Sequence, residues 1–412
     1  MDRNTLKSLF RDKNFIKLWS VGAASMGNQW LEMLAITVFI YNATQSALAV
    51  TFANFARAVP MIFLGGFTGV ISDYFSKKKI LTVAYGLLVL SSLILALLSY
   101  LNLIEIWHII FGMTLTGIVF STDFPVRRNM LGEMAGSKRV GSAMGFDSIA
   151  RNGTRILGPF LGGTIMEFSG LHGAYLILSF FYAFNMYQTI SVIELEDKHK
   201  DKDKDKDKDK DSETNSNYFK DLINGINFAR KDSSILGFLL ITVTMNLFAF
   251  PYMIMLPVVA QTQLEISPLL IGIMVSTDGL GAVVSAIIIS LFGITKLYKS
   301  FYFYGSCLVM IGICLFGFSH YYFLSILIMF LTGLGMGGFT TMQATLPFIL
   351  APKEMRARVL GLISVGIGMN PIGILLVGFL AVKFGPSLSI IICSILGLSV
   401  LIGLLMINRK TL

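Results

Sequence analysis

Residues 77–100 read KKKILTVAYGLLVLSSLILALLSY: three lysines, then 21 positions without a charge. A helix rises about 1.5 Å per residue, so roughly 20 apolar residues cross the ~30 Å hydrocarbon core of a bilayer. The stretch does not alternate and is about twice the length of a membrane-barrel strand, so it predicts a transmembrane helix. The same rule applied outward gives twelve spans: 18–41, 47–71, 80–100, 107–130, 141–167, 172–194, 234–260, 268–294, 300–318, 321–349, 358–383 and 386–408.

Composition agrees with that count. Of the 412 residues, 54% are hydrophobic and 14% charged, and mean hydropathy is +0.72. A soluble domain carries roughly 25% charged residues. The polar, basic N-terminus precedes an apolar stretch too long for a secretory leader, so the first span is expected to be uncleaved. The three cysteines, Cys307, Cys314 and Cys393, lie in apolar stretches without metal-ligand or disulfide spacing.

The net charge of +9 would suggest nucleic acid in a soluble protein, but its distribution points to a membrane surface. With a cytoplasmic N-terminus, 29 of the 33 Lys and Arg fall in cytoplasmic segments and one, Lys383, falls outside. Positive-inside topology then places both termini in the cytoplasm, in the inner (plasma) membrane. The longest connection holds an alternating Lys-Asp tract, Asp201 to Asp211, of a composition that buries no core. The expected organisation is a six-helix half at 1–195, a solvated linker at 196–218 and a second half at 219–412. A metal-binding or regulatory role for the tract's aspartates is the alternative. A shift of 215 residues lays Gly158, Gly163 and Gly170 on Gly373, Gly378 and Gly385, as a 6+6 duplication would.

Several motifs join this topology. The segment after span two reads Gly69-Val-Ile-Ser-Asp73-Tyr-Phe-Ser-Lys77-Lys78-Lys79-Ile-Leu81. It resembles the major facilitator superfamily loop pattern G-x-L-A-D-R-x-G-R-K-x-x-L, with Tyr74 and Ser76 departing from it. Gly158-Pro159-Phe-Leu-Gly162-Gly163 in span five is similar to that family's antiporter motif. Asn14-Phe15 with Leu18-Trp19, Asp123-Phe124-Pro125 with Arg127, Pro251-Tyr252 with Leu256-Pro257, and Arg356-Ala-Arg358-Val359 resemble the drug and siderophore export branch, macrolide-efflux and enterobactin-exporter-like proteins included. The resemblance implies a monomeric secondary transporter working by alternating access. It also implies a cytoplasmic gate in which Asp73 latches onto Arg127, Arg128 or the start of span eleven near Arg356. Lys77 and Lys78 themselves read as positive-inside residues.

Six charges lie inside spans and balance in sign: Glu32, Asp147 and Asp278 against Arg57, Arg151 and Arg155. Such charges are costly in lipid and face a cavity or one another. Glu32 and Arg57 each sit about 14–15 Å from the outer surface on adjacent antiparallel helices, which permits a pair. Asp147, Arg151 and Arg155 recur every four residues on one stripe, so Asp147 is expected to neutralise Arg151. Arg155 then looks to Asp278, because in the family's architecture spans five and eight meet. Asp123 and Arg127 read as a surface i,i+4 pair. Buried ion pairs set helix register; equally, a carboxylate released from its arginine takes up a proton and couples transport to the proton gradient.

The glycines of Gly158, Gly162 and Gly163 form a close-packing face. Pro159, Pro251, Pro257 and Pro371 permit kinks. The four histidines form no catalytic cluster, and no GxxxxGK[ST] loop is present for ATP. The sequence therefore predicts an all-α, twelve-helix membrane protein with no enzymatic role and no cofactor. Its partners would be protons, lipid and a small, moderately apolar substrate, exported from a midplane site. That site would draw on Glu32, Arg57, Asp147, Arg151, Arg155, Asn246 and Asp278. An importer of the same fold is the alternative; a membrane scaffold or enzyme is a more distant one.

Overall fold

A computed structural model describes residues 9, 11–64, 76–136, 139–192, 227–292, 297–352 and 355–407. Gly69, Asp73 and the whole 196–218 linker lie outside the described residues.

Among the described residues, twelve helical spans run in chain order. They are α1 (Lys13–Thr44), α2 (Ala47–Leu64), α3 (Lys77–Tyr100), α4 (Ile106–Ala135), then α5 and α6, the two arms of Val140–Ser191. In the second half they are α7 (Ser233–Gln263), α8 (Pro268–Phe292), α9 (Tyr298–Phe318), α10 (Tyr322–Leu350), α11 (Arg356–Ile367 continued by Asn370–Phe384) and α12 (Pro386–Ile407). Eight helices among the described residues are long and apolar enough to cross a membrane by length and composition alone. The helix bearing Glu32 and the one bearing Asp147, Arg151 and Arg155 are not among them, which fits their polar content.

Local chemistry sets the ends. Asp12 caps α1 by accepting from the Asn14 and Phe15 amides, so the helix starts five residues before the apolar stretch. The α5–α6 and α11–α12 corners turn at Gly170 (φ 62°) and Gly385 (φ 87°), a left-handed backbone that a side chain would strain. Lys17 and Lys78 donate to the last carbonyls of α6, at Ser191 and Val192, where a helix C-terminus attracts cations. The end of the bundle that holds these lysines is called the basic end here, and the opposite end the far end.

Peripheral helices show one apolar face to lipid. On α3, Val83, Leu87, Leu90 and Leu97 are exposed while Leu81, Tyr85, Leu88 and Leu95 are buried. An exposed apolar band of this kind suits hydrocarbon, not water.

The halves meet through glycine-lined crossings that obey the 215-residue shift. Gly158 packs on α1 and Gly373 on α7 within their own halves. Gly163 of α5 faces α8, and Gly378 of α11 faces α2, across the halves. A Cβ on Gly163 would stand 2.9 Å from Gly272 Cα, and one on Gly378 2.9 Å from Thr51 Cβ. Gln261 of α7 donates to Asn42 of α1 at 3.1 Å, again near the far end. Toward the basic end the crossings part: a Cβ on Gly141, Gly145 or Gly153 of α5, or on Gly361 of α11, would meet nothing within 4 Å. Among the described residues, the close glycine contacts across the halves run from the far end to Gly279 against Arg155, while these four glycines nearer the basic end face open space.

The two halves differ in their backbones. α7 carries a wide turn at Met245–Ala249 ahead of Pro251, and α11 breaks at Gly368–Met369 ahead of Pro371. Of the four prolines expected to permit kinks, Pro251 and Pro371 stand at interruptions, while Pro159 and Pro257 lie within continuous helix. The interruptions face each other, with Asn370 donating to the Asn246 carbonyl at 3.5 Å.

Candidate functional site

Glu32 projects from α1 into the first half, 3% exposed. Its Oε2 lies 3.6 Å from Arg57 Nη1 on α2, and its Oε1 accepts from the Thr116 hydroxyl of α4 at 3.1 Å. Gly117 makes this possible. It lets α4 lie directly on the Arg57 carbonyl, where any side chain would collide.

Arg155 of α5 and Asp278 of α8 meet across the halves at 2.5 Å. Arg155 also lies over the Trp30 ring, 5.7 Å from its centroid, and buried Tyr252 stands beside the pair. Asp278 repeats the position of Arg57 in the other half. Gly333 of α10 presses on the Asp278 carbonyl as Gly117 presses on that of Arg57. The duplicated architecture therefore holds opposite charges at equivalent places. Arg57 turns to its own half for a partner, whereas Asp278 turns to the other.

Between these pairs lies a cavity of about 230 Å³. Gln29 and Trp30 of α1, Asn54 and Arg57 of α2, Phe120 of α4 and Ile374 of α11 are among its walls. Arg57 links the cavity to Glu32, and Trp30 links it to Arg155.

Asp147 does not neutralise Arg151, contrary to the spacing on α5. Its carboxylate accepts from Arg127 Nη1 at 2.9 Å and stands 3.3 Å from Arg128 Nε, both on α4. Two guanidinium forks from the neighbouring helix outcompete one flexible arginine on its own helix. Arg151 instead donates to Ser148 and leans toward the Phe124 ring.

Asp123 and Arg127 are not a surface pair either: they are 1% and 0% exposed. Asp123 accepts from the Tyr85 hydroxyl at 2.6 Å and from Ser25 at 2.9 Å, and lies 3.6 Å from Arg127 Nε. Gly22 of α1 leaves the space that the Arg127 guanidinium fills. The signal in the sequence was present: Gly22, Ser25 and Glu32 share one face of span one, and i,i+3,i+4 steps along span four join Thr116 to Asp123 and Arg127.

The remaining residues are dispersed. The Asn246 side chain donates back to the Thr242 carbonyl at 2.9 Å and joins no charged pair among the described residues. Arg356 donates to the Phe348 and Ala351 carbonyls, capping α10. Lys77 pairs with Glu133 at 2.5 Å across α3 and α4, so it does more than mark the basic face. Gly158, Pro159, Gly162 and Gly163 form the packing face. Gly162 is held against Leu31 of α1, and the Pro159 carbonyl approaches Gly272 of α8. With Asp73 and Gly69 outside the described residues, the latch has no geometry here. Trp30, Gln29 and Asn54 were not singled out by sequence reasoning, although amides within spans are as unusual as charges.

Comparison with known proteins fits this geometry. Over 95% of the chain, the fold is similar to that of a D-xylose–proton symporter (TM-score 0.69, 13% identity, 96% of that chain). A bacterial homologue of the human lysosomal transporter Spinster, in an inward-facing and occupied conformation, is similar over 97% of this chain and 96% of its own (TM-score 0.72, 9% identity). The Staphyloferrin A transporter of Staphylococcus aureus (strain NCTC 8325 / PS 47) is 25% identical over 93% of this chain and 94% of its own. The uncharacterized MFS-type transporter YfiS of Bacillus subtilis (strain 168) is 27% identical over 42% of this chain and 40% of its own. The family model of transmembrane secretion effectors matches residues 5–411. The chain is a multi-pass membrane transporter and belongs to the transmembrane secretion effector family of the major facilitator superfamily.

Proposed function

We propose that this transporter is a proton-coupled exporter of a small, moderately apolar compound of drug, macrolide or siderophore type, acting as a monomer in the plasma membrane. The observation that carries the reading is the Glu32–Arg57 pair at the wall of the cavity between the halves. An ionised Glu32 is held by Arg57 and Thr116. A neutral Glu32 releases Arg57 and changes the cavity wall. If substrate binds only beside the ionised form, proton and substrate exclude each other, and exchange across the membrane follows. The Arg155–Asp278 pair belongs to the seal between α5 and α8, and parts when the far end opens. The basic end is the cytoplasmic face on the positive-inside rule, so the described conformation is open to the cell interior. The relative named for staphyloferrin A supports a siderophore-like substrate and supplies the first compound to test.

Inside-out vesicles given staphyloferrin A and an acid interior are expected to accumulate it, and a protonophore to abolish accumulation. Loss of accumulation in E32Q, with normal protein yield, is the expected companion result. Gradient-driven uptake by right-side-out vesicles instead would overturn export.

A further inference from the structure

Polar side chains also gather away from the cavity, buried inside the first half on α1, α3, α4, α5 and α6. Two polar rungs cross from α1 to α4: Glu32 with Thr116, and Ser25 with Asp123. They are seven residues apart on both helices, so two helical turns, about 10 Å, separate them. α1 and α4 run antiparallel, which keeps the rungs in register.

The interval between the rungs is polar. Asn28 lies between Ser25 and Glu32 on α1, 2% exposed, and its Nδ2 has no hydrogen-bond partner among the described residues. From α6, buried Tyr182 is within electrostatic reach of Glu32, Arg57, Thr116 and Asp123, and so bridges both levels. One turn nearer the basic end on α6 is Asn185, 0% exposed, with neither Oδ1 nor Nδ2 partnered among the described residues. The hydroxyl of Tyr175, a further buried side chain of α6, also has no hydrogen-bond partner among the described residues. Buried amides left without partners are expensive, and water with two to four polar neighbours is the ordinary remedy. At the basic side Asp123 meets Arg127, Arg127 meets Asp147, and Asp147 meets Arg128, whose side chain is 30% exposed.

We infer that the interior of the first half is a hydrated proton path joining Glu32 to the Asp123–Asp147 cluster, separate from the cavity that takes substrate. The inference rests on the proposed proton coupling and adds the route. A proton on Glu32 passes to water beside Asn28 and Asn185, and the water chain delivers one to Asp123. Asp123 stands at the other end of the path, accepting from Tyr85 and Ser25 and lying 3.6 Å from Arg127. One proton leaves one carboxylate and reaches another, with no change of oxidation state. Glu32 is faced by Arg57 from α2, Thr116 from α4, and Tyr175 and Tyr182 from α6. A separate route lets the proton leave Glu32 toward the basic end without crossing the cavity that substrate then enters.

The test uses the full chain in phosphatidylethanolamine–phosphatidylglycerol vesicles, with infrared detection of carboxyl protonation after a pH jump. The Glu32 band is assigned by its loss in E32Q. In N28L, and independently in N185L, the Glu32 band is expected to relax about tenfold more slowly, equivalent to ~1.4 kcal/mol on the barrier. Ala58 of α2 also lines the cavity, and A58W, which fills it, is expected to leave that rate within twofold of the wild type. The two path variants must elute as monodisperse protein; N28T is a milder replacement should N28L misfold. A rate slowed by A58W and unaffected by both path variants would show the proton using the cavity, with bound water only structural; the path would fall and coupling stand. Absence of any band lost in E32Q would overturn both the coupling and the path.

Discussion

The two halves share a helix arrangement and differ in what they bury. The first half holds Glu32, Asp123 and Asp147 with Arg57 and Arg127 in its interior or at its inner face, on α1, α2, α4 and α5, which run unbroken through these positions. The second half, among its described residues, buries one carboxylate, Asp278, and directs it outward to Arg155. Its interior is built of hydroxyls that satisfy themselves locally, such as Thr332 on the Ile328 carbonyl and Ser306 on that of Tyr302. Its helices α7 and α11 are interrupted where the first half's α1 and α5 are continuous. The difference teaches a division of labour on one duplicated scaffold: titratable chemistry in one half, bendable backbone in the other.

The largest effect that could break this comparison is at Arg127. Arg127→Leu leaves buried Asp123 without an ion pair and Asp147 with Arg128 alone, and a broken buried pair costs about 3–5 kcal/mol. Thermal unfolding in detergent should show a severe loss of stability or of folded yield; a near-wild-type transition would show that the cluster is not structurally coupled. Next is Gly163→Leu. Its side chain would force α8 away from α5 and weaken the far-end seal. Labelling of a cysteine placed near Gly272 should rise sharply, while Gly153→Leu at the open end should leave labelling unchanged.

Asp278→Asn sharpens the comparison further. It keeps a polar partner for Arg155, so folded protein should persist while transport falls severalfold; unchanged transport would remove the α5–α8 pair from the cycle. The smallest effect belongs to the second half's interior. Tyr302→Phe removes one hydroxyl that shares a 2.7 Å hydrogen bond with Thr242, and a lost bond of this kind costs roughly 1 kcal/mol. Melting should shift slightly, with pH dependence of transport unaltered.

Much of this was legible in the sequence because lipid leaves few options. Apolar runs of membrane length and lopsided Lys and Arg placed the spans. The depth arithmetic that set Glu32 opposite Arg57 worked because α1 and α2 are adjacent and antiparallel. Asp147 was misjudged because i,i+4 spacing shows only the partners on one helix, whereas Arg127 and Arg128 arrive from another. Asp123 and Arg127 looked superficial because they lie near a span's end. Their burial depends on Gly22 of a helix about a hundred residues earlier, a packing fact that local spacing does not carry. Asn246 was grouped with the charges for being polar and within a span; the Met245–Ala249 turn instead gives it a partner on its own helix.

The central claim is that Glu32, in the first half, is the carboxylate whose protonation moves the transporter. Spin labels at positions 145 and 361, both unobstructed at the open basic end, would report the separation of the halves by pulsed dipolar spectroscopy as pH is varied. The account predicts a pH-dependent shift in the distance distribution that disappears in E32Q and survives in D278N. A shift that persists in E32Q and vanishes in D278N would contradict it.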